Sequence, residues 1–120
     1  MSGLDIRKAV MGEAFVEAAM TGDPFLEPLQ SFINEHAWGS VWLRDGLDLK
    51  TRSLVTVSFL VALGKLHELK GHLRGARRNG ASWEELREVL LHAAVYAGVP
   101  ASAEALRVLS GLRAEELGAA

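Results

Sequence analysis

DLKTRSLVTVSFLVALGKLHELKGHLRGARRNGASWEELREVLLHAAVYAGVP, residues Asp48–Pro100, reads as three helices in a row, each closed by a glycine stop. Asp48 is an N-cap residue, and Leu49–Leu63 is apolar on most sides after its first turn, so this third helix is expected to be central. Gly64 marks a break, and a fourth helix runs from about Lys65 to Arg78 before the Asn79-Gly80 stop. Ser82-Trp83-Glu84-Glu85 has the form of a capping box that opens a fifth helix, running to Ala97. Gly98-Val99-Pro100 ends it, and Pro100 opens a sixth helix built on Leu106, Leu109 and Leu112, with Gly118-Ala119-Ala120 as a frayed tail.

Upstream the pattern stays helical. A first helix is expected over Leu4–Met20, with Ile6, Val10 and Ala14 on one side. Thr21-Gly22-Asp23-Pro24 stops it and starts the next, Asp23 as N-cap and Pro24 in the first position. The second helix covers Pro24 to Ala37 and should bury Phe25, Leu29, Phe32 and Ile33, followed by a polar-aromatic loop from Gly39 to Asp48. No segment alternates as a strand does. The expected fold is all-α, a compact six-helix single domain over residues 1–120.

Composition narrows the function. With 49% hydrophobic and 23% charged residues the chain has an ordinary globular balance rather than a disordered one. A net charge of −2 gives no basis for bulk nucleic-acid binding. Cysteine is absent, which removes disulfides, thiolate metal sites and thiol redox cycling. The opening MSGLDIRKAVMGEAF lacks the uninterrupted apolar core of a secretory signal, and Leu54–Leu63 spans about half of what a bilayer crossing needs. A cytoplasmic, membrane-free protein is expected. Helices three and five are also more apolar than one small core covers, which points to a homo-oligomer.

The residues with chemistry cluster in HAWGSVWLRDGLDLKTRSL (His36–Leu54) and HELKGH (His67–His72). Glu68 and His72 stand at i and i+4, so they share a helix face, and the carboxylate should raise the imidazole's pKa. The pair is either an acid–base couple or a surface helix pair. Arg44 and Arg52 flank the start of helix three. Arg52 lies in its first turn, where the macrodipole disfavours a cation, so either carboxylate binding or a salt bridge to an acid such as Asp45 or Asp48 holds it there. His36, Trp38 and Trp42 either wall a pocket or pack between helices. His67 is on a different helical face from His72, His92 interrupts the otherwise apolar fifth helix, and no HxH or HExxH spacing exists, so no metal site is expected. No glycine loop of the phosphate-cradling kind follows a strand, and no cofactor motif is present.

Together HAWGSVWLRDGL (His36–Leu47), TRSL (Thr51–Leu54), ELKGHLRGARRNG (Glu68–Gly80) and VYAGVPA (Val95–Ala101) resemble the carboxymuconolactone decarboxylase family, with the likeness running from Ile6 to near Leu109. The resemblance implies an all-α fold assembled as a hexamer or trimer. The peroxidase branch of the wider superfamily uses a CxxC pair before the histidine matching His72; here Lys65 and Glu68 stand in those places, so thiol peroxidase chemistry is excluded. Ala97 stands where related enzymes often carry Cys, and Phe15 where some carry a polar residue.

The implied reaction is decarboxylation of 4-carboxymuconolactone to 3-oxoadipate enol-lactone, in protocatechuate breakdown through the β-ketoadipate pathway. Its substrate, a small lactone dicarboxylate, carries its own electron sink, so no cofactor is required. On this reading Arg44 and Arg52 hold carboxylates, with Trp38 and Trp42 at the substrate. His36, with an indole, meets the lactone oxygen, and His72, oriented by Glu68, donates a proton to carbon. The two histidine roles are interchangeable at this level. The alternatives are a relative acting on another lactone or keto acid, and a non-catalytic oligomeric binding protein.

Overall fold

Gly12 adopts φ 92° and ψ 141°, a backbone conformation that side-chain-bearing residues avoid, and it splits the expected first helix in two. In the computed structural model, which describes residues 1–118, α1 spans Gly3–Met11 and α2 spans Glu13–Met20. A capping box opens α1: the Asp5 N–H donates to Ser2 Oγ at 3.2 Å, and the Ser2 N–H donates back to the Asp5 carboxylate at 2.9 Å. Asp23 caps as expected, accepting from the Phe25 N–H at 3.0 Å, although the turn it opens over Pro24–Leu26 is a 3₁₀ turn. α3 follows over Glu27–Phe32.

The chain then departs from the expected course. Instead of ending at Ala37, the helix widens into a π-helix over Ile33–Trp42, so the loop expected from Gly39 begins only after Trp42. The wider ladder shows where the Leu43 N–H donates to the Trp38 carbonyl at 3.2 Å, five residues back. α1 crosses this π-helix almost backbone on backbone. A Cβ added to Gly3 would stand 2.0 Å from the Asn34 carbonyl oxygen and 2.7 Å from the Gly39 nitrogen.

That crossing sets the core of the first compact unit, Met1–Leu49. Ile6, Val10, Met11, Val16, Trp38 and Trp42 are its buried residues, and Ile33 packs against them. The expected burial of Phe25, Leu29 and Phe32 is corrected: all three are exposed, Phe25 at 85%. The core formed on the α1 side of the π-helix, which leaves their side of α3 uncovered.

The second unit, Lys50–Ala120, follows the expectation to within a residue or two. It contains α4 (Leu49–Leu63, whose first residue falls in the first unit), α5 (Leu66–Arg78), α6 (Trp83–Ala97) and α7 (Val99–Glu116). The Ser82–Glu85 capping box forms in both directions, at 3.0 and 2.9 Å. Gly80 and Gly98 take positive φ at the two stops, where a Cβ would be strained. Val57, Val61, Leu69, Leu73, Leu86, Leu90, Leu109 and Leu112 form the core. Its buried hydroxyls are satisfied, since Asn79 Nδ2 donates to Ser53 Oγ at 2.9 Å and Ser102 Oγ donates to the Leu90 carbonyl at 2.5 Å.

α4 is one-sided rather than central. It buries Ser53, Val57 and Val61 but exposes Val55, Phe59 and Leu63. The fold is all-α, with seven α-helices, a 3₁₀ turn and a π-helix among the described residues where six helices were expected. Ala119 and Ala120 of the expected frayed tail lie outside the described residues. No helix among those described is long and apolar enough to cross a membrane.

Candidate active site

The π-helix carries three of the expected site residues. π-turns concentrate at functional positions in proteins, because the extra residue per turn re-aims side chains at some cost in backbone packing. Trp38 is 5% exposed and stacks on Trp42 with ring centroids 4.6 Å apart at 26°. Both indoles belong to the buried cluster of the first unit. His36 is two residues from Trp38, about half a turn away, and so lies on the opposite side. Its side chain is 54% exposed, with Nε2 3.9 Å from the Glu35 carboxylate and the ring tilted on Phe32. His36 and Trp38 thus leave the π-helix on opposite sides. Arg44 follows in an exposed turn held by its backbone N–H on the Val41 carbonyl at 3.0 Å.

In the second unit Arg52 occupies the first turn of α4. It is partly buried, with Nε sealed from solvent, and its carbonyl accepts from Thr56 Oγ1 at 2.8 Å. Glu68 and His72 share one face of α5, as the spacing requires. Glu68 is exposed. His72 is partly buried beside Leu69, Gly71 and Leu73, and its Nδ1 is sealed from solvent.

Burial pushes the His72 pKa down to about 4, and the Glu68 carboxylate, which pulls it up, does not offset that. The expected rise is corrected, because desolvation outweighs a solvent-screened charge. His72 is a neutral imidazole at pH 7. The sign of the linkage follows: the unfolded chain binds more protons than the folded one between about pH 4 and 6.5, so stability falls as pH drops through that window. The loss attributable to His72 amounts to about 3 kcal/mol by pH 4. Urea titrations of the protein and of a His72→Gln variant across this range are expected to show a shallower slope in the variant; parallel slopes would contradict it.

Two cavities of the second unit lie away from these side chains. One of about 480 Å³ is lined by Leu73, Arg74, Arg77, Trp83, Glu115 and Glu116, among others. Arg77 sits 4.4 Å over the Trp83 ring and pairs with Glu116 at 2.9 Å, while Arg74 pairs with Glu115 at 3.3 Å. None of His36, Arg44, Arg52, Glu68 or His72 lines it. Among the described residues no cluster of His, Asp and Glu gathers to hold a metal ion.

One residue escaped the sequence reading. Arg7 is 6% exposed in the core of the first unit, and its Nη1 donates to Gln30 Oε1 and Asn34 Oδ1, each at 2.9 Å. The signal was present: Arg7 falls in the Ile6, Val10, Met11 stripe, where a surface cation does not belong.

The described residues are all-helical, and the chain has no cysteine. It belongs to the carboxymuconolactone decarboxylase family, whose model matches residues 27–111. It is 45% identical over 107 residues to a 4-carboxymuconolactone decarboxylase of Acinetobacter baylyi, covering 88% of this chain and 80% of that protein. It is 47% identical over 107 residues to a nitrosuccinic acid decarboxylase of Metarhizium robertsii, with 88% and 75% covered. A third relative, an uncharacterized 15.0 kDa protein of Paracoccus denitrificans, is 35% identical over 81 residues, covering 66% of this chain and 60% of that protein.

Proposed function

We propose that the chain is a carboxy-lyase that decarboxylates 4-carboxymuconolactone to the 3-oxoadipate enol-lactone without a cofactor, in protocatechuate catabolism. The observation that carries this reading is the 45% identity, over most of both chains, with a protein named for that reaction. The chemistry suits the residues. Loss of CO2 from the ring carbon leaves an electron pair that runs through the ring alkene into the lactone carbonyl, giving a dienolate. The dienolate takes one proton on carbon, so each turnover consumes one proton and releases one CO2.

Arg44 and Arg52 bind carboxylates, the leaving one loosely, since equal grip in ground and transition states gives no acceleration. His36, solvent-reachable on the π-helix, meets the developing oxyanion. His72 delivers the proton. It rests neutral, and the arriving dianion favours its imidazolium form, so the proton enters with the substrate. Glu68 orients the ring and supports that charge. The prediction is net proton uptake when a non-reactive dicarboxylate analogue binds near pH 6.5. Calorimetry in buffers of different ionisation enthalpy reads it, and uptake that persists in His72→Gln would remove His72 from the role.

A second substrate has a specific observation behind it, the 47% identity with a nitrosuccinic acid decarboxylase. Nitrosuccinic acid is also a dicarboxylic acid with a built-in acceptor, since a nitro group stabilises the carbanion as a lactone carbonyl does. Measuring CO2 release from both compounds separates the two readings. Release from the lactone at a far higher kcat/KM supports the proposal, and preference for nitrosuccinate would overturn the choice of substrate.

We also propose that the chain self-assembles into a homo-oligomer, the hexamer or trimer of the family reading. Phe59 is 63% exposed beside Val55 and Leu63, and Tyr96, Val95 and Leu91 are exposed on α6, more apolar surface than a soluble monomer ordinarily leaves bare. Phe59→Glu is expected to shift the mass in sedimentation to smaller species; an unchanged assembly would place the interface elsewhere.

A further inference from the structure

We infer that Arg7 is the inner anchor of an anion subsite in the first unit, built to take one carboxylate group of a small organic acid. The residue sits on α1 among Ile6, Val10 and Met11, almost wholly removed from water. A guanidinium carries five N–H donors. Both N–H groups of Nη1 are committed, to Gln30 Oε1 and Asn34 Oδ1. Those partners are neutral amide oxygens, and among the described residues no carboxylate reaches Arg7. A buried guanidinium without a counter-ion is costly, and proteins bury charges paired. Burial holds its pKa below the ordinary arginine value, and no neighbouring acid draws it back.

What remains is directional. Nε and Nη2 form the side edge of the guanidinium, the edge that grips a carboxylate with two parallel hydrogen bonds. Neither atom bonds to a described residue, and neither is sealed from solvent as Nε of Arg77 is. The amides of Gln30 and Asn34 fix the plane from the other side, so the edge is pre-oriented. Charge selects the ligand. Arg7 offers a single positive charge, and the next cation on α1, Lys8, is already held by Glu17 at 2.9 Å. A carboxylate balances one guanidinium, whereas a phosphate dianion would need a second cation. Arg7 is thus a further specificity residue, carried by the first unit alone. The identity of the acid, the carboxylate that stays on the substrate, rests on the decarboxylase reading; the binding of a carboxylate does not.

The test is a titration of the full-length protein with succinate, at ionic strength held constant with chloride. NMR follows the Arg7 guanidinium Nε–H signal, calorimetry reads affinity, and sedimentation reads mass. The expected result is a saturable shift of the Arg7 signal, with affinity falling roughly tenfold in Arg7→Lys, which keeps the charge but loses the two-pronged edge. A merely structural Arg7 would lower the melting temperature of that variant without moving succinate affinity. The wild-type signal keeps the test independent of how the variant folds. An unmoved Arg7 signal, or wild-type affinity in Arg7→Lys, overturns the subsite. If the variant changes mass at unaltered affinity, the carboxylate comes from an acidic side chain of a second copy, which also overturns it. CO2 release is assayed on the same preparation. Its absence alongside a shifted Arg7 signal sinks the decarboxylase reading and leaves the subsite standing.

Discussion

His72→Ala is expected to lower turnover on 4-carboxymuconolactone by about 10²-fold or more, the scale on which loss of a positioned general acid acts. The reaction consumes a proton at carbon, and carbon is a poor acceptor of protons from bulk water. A side chain must hold that proton and release it toward the dienolate. Burial keeps His72 neutral at rest, with a pKa of about 4, and on the proposed mechanism the negative charge of bound substrate makes it an acid. Glu68→Gln is expected to act in the same direction but less, because the carboxylate only supports the imidazolium. His67→Ala, exposed one helical residue from Glu68, serves as the control and should leave turnover unchanged. Steady-state kinetics on folded variants decide the matter. Near-native turnover in His72→Ala would transfer the proton-donor role to another group, His36 first.

Gly3→Ala is expected to destabilise the protein by about 3 kcal/mol, the upper range for overpacking a tight contact. Its Cβ would stand 2.0 Å from the Asn34 carbonyl oxygen and 2.9 Å from the Gly39 Cα, all backbone atoms that no rotamer change can move aside. α1 would have to retreat from the π-helix, loosening Ile6 and Val10 from the tryptophans and Arg7 from Asn34. The effect should reach function, since the same π-helix presents His36. Gly39→Ala should cost less, because its nearest contact is 3.1 Å, and Gly111→Ala in α7 meets nothing within 4 Å. That last change is expected to stabilise by about 0.5–1 kcal/mol through lost chain entropy. Urea unfolding of the three variants should rank them in this order, and a Gly3→Ala protein as stable as Gly39→Ala would contradict the crossing.

The second unit was legible because its stops and starts are local. A capping box at Ser82, glycines at Gly80 and Gly98 and apolar periodicity act within a turn or two of themselves, and all appeared where read. The first unit was less legible because its shape is decided by a long-range contact. A glycine in an otherwise helical run, Gly12, signalled a break that periodicity overrode, and no local rule distinguishes a π-helix from the helix-then-loop expected over Ile33–Trp42. The same contact explains the tryptophans, which face α1, and the exposed Phe25, Leu29 and Phe32, which do not. Spacing identified Glu68 and His72 as a pair. It could not supply the degree of burial, which reversed the direction of the pKa shift. Arg7 is the converse case, a cation whose place in an apolar stripe was readable and whose lack of a carboxylate partner among the described residues was not.

The central claim is that these side chains decarboxylate a lactone dicarboxylate whose own ring holds the electrons. The measurement that tests it most directly is CO2 release from 4-carboxymuconolactone, generated in place because the compound is labile, by protein dialysed exhaustively against a chelator. The account predicts release well above the spontaneous rate, unchanged by the dialysis and by added metal ions. Release no faster than the spontaneous rate, or release restored only by an added metal or cofactor, would contradict it.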